Sequence, residues 1–138
     1  MHVQAYLMLN GRTEEALAFY ARAIGAEITA LMRFREAPEP PPPGMVPDNW
    51  GDKVMHSSFR VGETELMATD GCQSDGSAFS GVSLALSVGS AAEAETKFAA
   101  LAEGGQVTMP LGPTFFATAF GTLTDRFGVP WMIVAPTL

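Results

Sequence analysis

The sequence predicts an α+β protein of two βαβββ modules, with curved mixed sheets and helices on their outer faces. Three observations predict it. The last third, Thr114 to Val134, reads as two strands joined by the turn Asp125-Arg126-Phe127-Gly128. Its Phe, Val, Trp and Ile residues suit a pleated, half-buried surface, and glycine supplies the positive φ of a tight turn. Two stretches of helical periodicity each follow a short apolar strand and stop at a glycine. The two halves also match each other: Phe19 set on Phe98, an offset of 79, brings Gly25 onto Gly104, Ala26 onto Gly105, Glu27 onto Gln106 and Ile28 onto Val107.

Residues 3–9 read as the first strand, broken by Asn10-Gly11. Thr13 to Ile24 then places Ala16, Leu17, Tyr20, Ala23 and Ile24 at helical spacing. Glu14 and Glu15 stand in the first turn, where the helix dipole favours negative charge, and Gly25 is a natural stop. Glu27 to Phe34 reads as the second strand. Residues 37–49, which hold four successive prolines, cannot be regular structure, because proline removes donors and imposes an extended course. They make a long surface loop, a lid, a contact element or a tolerated insertion.

Val54 to Val61 and Thr64 to Asp70 make a hairpin around Gly62-Glu63. An even loop puts Met55, Ser57, Phe59 and Val61 on one face with Leu66 and Ala68. The other face then carries His56, Ser58 and Arg60 with Glu65, Met67 and Thr69, and Arg60 is expected to pair with Glu65 near the turn. An odd loop would shift the return strand's parity. After a Gly/Ser/Asp linker the pattern recurs. Gly81 to Val88 is a strand, and Ser90-Ala91-Ala92-Glu93 is a capping box in which hydroxyl and carboxylate satisfy free amides reciprocally. Ala94, Phe98, Leu101 and Ala102 form the apolar stripe of the second helix, which Gly104-Gly105 ends. Gln106 to Leu111 is the next strand.

The hairpin glycine Gly62 lies 37 residues after Gly25, and Gly128 lies 24 after Gly104; the surplus of 13 is about the length of the proline loop. The first module is therefore expected over residues 1–72 with an insertion at 36–50, a linker over 73–80 and the second module over 81–138, packed as a single compact unit.

Bulk properties remove several functional classes. Eight Lys and Arg against fifteen Asp and Glu give a net charge of −7, with no basic cluster to meet a phosphate backbone or an anionic membrane. Nucleic acid and membrane are not expected as partners. The first residues lack a charged n-region followed by an apolar run, and no segment approaches the length of a membrane span. Cys72, the single cysteine, cannot form an internal disulfide, which suits a cytoplasmic protein. It sits in a polar turn with no base to activate it, so it reads as incidental.

The chain resembles the vicinal oxygen chelate superfamily, which contains glyoxalase, bleomycin-resistance and extradiol dioxygenase proteins, and most closely its PhnB-like group. The resembling residues are Asn10-Gly11, Glu15 to Tyr20, Gly25 to Glu27, His56, Leu66 to Asp70, Phe120-Gly121 and Thr124 to Ile133. The resemblance implies a homodimer and a hollow beside each sheet that binds small ligands. Metal-dependent members hold a divalent ion with His, Gln or Glu on the first and last strands of each unit. Those positions fall near Gln4-Ala5, Ser83-Leu84, Leu66-Met67 and on Met132. Only Gln4 can ligate, and weakly, so no metal or other cofactor is expected.

His56 is the only catalytic candidate, because imidazole titrates near neutrality, although no carboxylate to orient it can be named. His2 sits at a frayed end. Asp70 and Asp125 open turns and read as hydrogen-bonding their own backbone. Trp50, Phe115, Phe116, Phe120 and Trp131 are pocket or core aromatics. The expected ligand pocket is His56, Ser58, Met67, Thr69, Phe116, Phe120 and Trp131, occupied by a small, partly apolar molecule. The alternatives are a metal-assisted isomerase, lyase or dioxygenase, and an enzyme using His56 for proton transfer. A third is a protein-binding role of the proline loop. Proteins of this group are sometimes labelled ubiquinone-pathway methyltransferases; Asn10-Gly11-Arg12 is only an ordinary strand-to-helix break and does not supply a methyl-donor site.

Overall fold

Phe59 stacks on Tyr20 with ring centroids 5.9 Å apart, and this contact seats the first helix on the first sheet. The computed structural model describes residues 1–71 and 79–136. The chain divides into two compact units, Met1–Ser77 and Ala78–Leu138. The first contains β1 (Tyr6–Met8), α1 (Thr13–Ile24), β2 (Glu27–Arg33), a 3₁₀ turn at Phe34–Glu36, β3 (Val54–Val61) and β4 (Thr64–Thr69). The second contains β5 (Leu84–Ser87), α2 (Ala91–Ala102), β6 (Gln106–Gly112), β7 (Ala117–Thr124) and β8 (Pro130–Pro136). The sheet orders are β1-β4-β3-β2 and β5-β8-β7-β6. Each unit is the same βαβββ motif, with its first strand parallel to its last and the other pairs antiparallel. The expected α+β duplication is therefore present. Much of the expected linker, with Cys72, lies on residues 72–78, outside the described residues.

In the first unit the loop Gly62-Glu63 has two residues, and Ser57↔Ala68, Phe59↔Leu66 and Ser58↔Met67 are cross-strand pairs. Side chains alternate across a strand, so Ser57, Phe59, Leu66 and Ala68 share the helix-facing side, where all four are buried. His56, Ser58, Arg60, Glu65 and Met67 share the other side.

The second unit repeats this. Ala117, Ala119, Leu123, Trp131, Ile133 and Ala135 are buried on the side facing α2. Gly121 belongs to that row because the helix comes close: a Cβ there would lie 2.8 Å from Phe98 Cε2 and 2.9 Å from the Leu111 Cα. Gly128 closes the β7–β8 turn at φ 85°, a conformation that L side chains rarely adopt. At the start of α2, the Ser90 hydroxyl accepts from the Glu93 amide at 3.1 Å, as a capping box requires. The reciprocal bond is displaced: the Glu93 carboxylate accepts from the Gly89 amide, not from Ser90.

Candidate functional site

The side of the first sheet away from α1 carries a hydrogen-bonded pair that strand alternation alone does not reveal. The Tyr6 hydroxyl lies 2.8 Å from His56 Nδ1, and the two rings meet edge to face at 5.6 Å. Tyr6 is on β1 and His56 on β3, with β4 between them. The pair therefore spans a strand, and Met67 on that strand is paired with Tyr6 on one side and Ser58 on the other. Met32, on β2, is paired with His56. Tyr6 and Met32 are each 38% exposed, and His56, Ser58 and Met67 are half-buried. Tyr6 is thus a neutral hydrogen-bond partner for His56 where the sequence offered no carboxylate; its alternation with Gln4, just before β1, and Met8 is the local signal for its face.

Of the ionic groups around this pair, Arg60 is ion-paired and Glu65 is held by neutral donors. Arg60 and Glu65 are backbone partners, but the expected ion pair between them is replaced: Arg60 Nη2 meets Glu27 Oε2 at 2.6 Å on β2. Glu65 instead accepts from Gln4 Nε2 at 3.3 Å and from the Thr29 hydroxyl at 3.4 Å. His2, placed at a frayed end by the sequence, bonds Gln4 Oε1 through its ring nitrogen at 2.9 Å. Thr69 is almost fully buried; its hydroxyl donates to the Met55 carbonyl and accepts from the Gly71 amide, so its polar atom is spent on the backbone.

Asp70 does more than shape its own turn. It is 1% exposed, and its carboxylate accepts from the Gly11 amide at 2.8 Å, the Thr13 amide at 2.9 Å, the Thr13 hydroxyl at 2.6 Å and the Val54 amide at 3.0 Å. The Thr13 amide is a free donor in the first turn of α1, and Gly11 lies just before the helix's cap residue, Arg12. Asp70 thus caps a helix from a strand far along the chain. Asp125 does hold its own turn, accepting from the Phe127 amide at 2.8 Å and the Val129 amide at 3.0 Å, and from the Trp131 indole at 2.9 Å.

The indole bond decides the place of Trp131. It is paired with Leu123 on the α2 side and is 3% exposed, among core residues and away from the open face. Neighbouring residues of a strand point to opposite faces, so Met132 and Trp131 cannot line one pocket. The open face of the second sheet instead carries Phe120 opposite Val134 and Thr122 opposite Met132, with Ala85 and Ser87 beside them on β5. Phe116 is 45% exposed and packs edge to face on Phe120 at 5.2 Å, while Phe115 is 98% exposed and meets Phe116 at the same distance. Trp50 lies elsewhere, in a cleft of about 400 Å³ formed by Pro40 to Pro43, Phe34 and the rest of the proline loop.

A divalent centre of the superfamily type needs imidazole and carboxylate at the four strand positions. The positions present an amide committed to Glu65 and His2, the thioethers of Met67 and Met132, and at Ser83-Leu84 neither imidazole nor carboxylate. Among the described residues no three His, Cys, Asp or Glu side chains stand close enough to share an ion. This donor set does not fit a hard divalent cation. No described helix is long and apolar enough to cross a membrane.

Residues 1–134 match the family described as 3-demethylubiquinone-9 3-methyltransferase. The chain is 35% identical to Protein YjdN of Escherichia coli K12, over 96% of this chain and 94% of YjdN. Among solved structures, protein PA1353 from Pseudomonas aeruginosa is 43% identical with a TM-score of 0.85, over 99% of this chain and 98% of that one. A PhnB protein from Bacillus cereus is 29% identical with a TM-score of 0.79, over 98% of this chain and 99% of that one. The duplicated βαβββ fold and these matches agree: the chain belongs to the PhnB-like family described as 3-demethylubiquinone-9 3-methyltransferase.

Proposed function

We propose that this protein binds a small, partly apolar molecule on the open face of its first sheet, without the divalent ion of its metal-dependent relatives. The observation that carries this reading is the Tyr6–His56 pair, a polar handle set among Met32, Met67 and Ser58 on a face whose cation, Arg60, is already paired. Such a mixture of apolar lining and a few directed polar atoms is what small-molecule sites use. Phe116 and Phe120 give the second sheet an apolar open surface of its own. Thermal-shift screening of the purified protein tests the reading, with elemental analysis beside it. A saturable ligand without stoichiometric metal supports it. A stoichiometric divalent ion lost on Gln4→Ala substitution would overturn its metal-free part.

A second reading is proton transfer by His56, and Tyr6 favours it by fixing the ring. Unchanged turnover of a discovered substrate by a His56→Ala variant would eliminate it. Methyl transfer, which the family description names, finds no support in the β1–α1 turn. The Gly11 and Thr13 amides there are occupied by the protein's own Asp70, so they are not free to hold a cofactor group.

The proposal includes a homodimer in the cytoplasm. The edge strands β2 and β6 each leave apolar side chains in solvent, Ile28 and Met32 on one and Val107 and Met109 on the other, and such edges invite pairing. Sedimentation showing monomer alone at micromolar concentration would remove the dimer.

A further inference from the structure

Resting on the binding reading above, we infer that the first sheet selects a neutral hydroxylated aromatic, a phenol, and not an anion or a saturated lipid-like molecule. The hydrogen-bonding capacity of the face comes first. Tyr6 occupies His56 Nδ1 at 2.8 Å, and among the described residues Nε2 has no partner. If the tyrosine hydroxyl donates to Nδ1, Nε2 carries the proton and offers a donor. If Nδ1 donates to the tyrosine, Nε2 offers a lone pair. A ligand hydroxyl meets both states, because it donates and accepts; a carbonyl or an ammonium meets only one.

Charge excludes an anion. Arg60, the cation on this face, is held by Glu27 at 2.6 Å, and Glu65 stands two residues from Met67. An incoming carboxylate or phosphate would meet that uncompensated carboxylate and gain no free guanidinium. An anion is thereby disfavoured, and an ammonium would meet only one state of His56, so the complementary ligand is uncharged.

The apolar lining selects the ring. Met67 lies between Tyr6 and Ser58, and Met32 lies beside His56. Thioethers are polarizable and adaptable and make favourable contacts with aromatic rings. The Tyr6 ring, edge-on to the imidazole, adds an aromatic neighbour to this lining. A planar ring over Met67, with its hydroxyl at His56 Nε2, satisfies both the sulfur lining and the free ring nitrogen.

The test uses the full chain with methyl-¹³C methionine and three probes of one shape: 2-naphthol, naphthalene and decahydro-2-naphthol. The first has ring and hydroxyl, the second lacks the hydroxyl, and the third lacks the aromaticity. 2-Naphthol is expected to bind roughly tenfold tighter than naphthalene and roughly fivefold tighter than decahydro-2-naphthol. Its binding moves the Met32 and Met67 methyl signals upfield by ring current, those signals being assigned through Met32→Leu and Met67→Leu variants. A His56→Ala variant that keeps the wild-type circular dichroism loses the hydroxyl preference but still binds naphthalene. Equal affinity for the saturated alcohol overturns the aromatic class and leaves the binding reading intact. Shifts confined to Met109 and Met132 overturn the placement. Failure of all three probes to saturate overturns the inference, while a hit from the wider thermal-shift screen would still sustain binding of another class.

Discussion

The Asp70 carboxylate accepts the Thr13 hydroxyl at 2.6 Å, and through this bond the end of β4 fixes the start of α1. The same carboxylate gathers the amides of Gly11, Thr13 and Val54. An aspartate charge buried this far is tolerable because four donors replace its water. It therefore sets where α1 leaves the sheet and where β3 begins.

Asp70→Asn is expected to destabilise the protein by about 2 kcal/mol, and Asp70→Ala by about 4 kcal/mol, because each leaves buried donors unsatisfied. Urea unfolding monitored by circular dichroism measures both. A loss within error of zero for Asp70→Ala would show that water replaces the carboxylate and that the cap is dispensable.

Glu14 and Arg33 join in a two-pronged ion pair, Nη1 to Oε1 at 2.9 Å and Nη2 to Oε2 at 2.8 Å. Hydrogen bonding by the guanidinium holds the Glu14 carboxyl below the usual glutamate range. A depressed carboxyl contributes stability above its unfolded pKa and loses it as pH falls through the folded one. Because Glu14 is well exposed, the contribution is small, about 0.5 kcal/mol. The stability gap between wild type and Glu14→Gln should be constant near neutrality and close as pH drops below about 4. A gap that widens under acid would mean the pair has been assigned the wrong sign. High salt should shrink it at neutral pH as well.

Gly121→Ala should cost about 2 kcal/mol by overpacking, since the new methyl would meet the Phe98 ring and the Leu111 backbone. Gly112, where an added Cβ has nothing within 4 Å, is the control: Gly112→Ala should be close to neutral. Equal losses at both sites would mean that the intrinsic strand preference of glycine, not the helix contact, governs Gly121.

Legibility followed sequence distance. The repeat was readable because helix stops and hairpin glycines carry local signals at fixed offsets, and Gly62-Glu63 set the β3–β4 register because a two-residue turn leaves no freedom. What was not readable depends on which strands become neighbours. Arg60 found Glu27 and not Glu65 because β2 lies on the other side of β3, and the register shift between Ile28 and Ala30 brings Glu27 level with it. The Tyr6–His56 bond crosses an intervening strand, so no alternation pattern within one hairpin could predict it. Trp131 departs from the expected pocket for a different reason: aromatic character says nothing about parity, and a ligand position on Met132 turns its neighbour Trp131 toward the core.

Tyr6→Phe isolates the orienting bond from the rest of the face. The hydrogen bond is exposed, so its removal should cost less than about 1 kcal/mol of stability, as water takes its place at Nδ1. The imidazole should respond far more than the fold does. With the tyrosine present, one ring nitrogen is engaged and one tautomer is preferred; without it, the two tautomers should approach the mixture of a free histidine. Long-range ¹H–¹⁵N spectra of the His56 ring read that ratio directly. A tautomer ratio identical in wild type and Tyr6→Phe would mean that the hydroxyl does not orient the ring in solution. His56 would then lose the one contact that sets it apart from an ordinary half-buried histidine, and both the phenol site and the proton-transfer reading would fall with it.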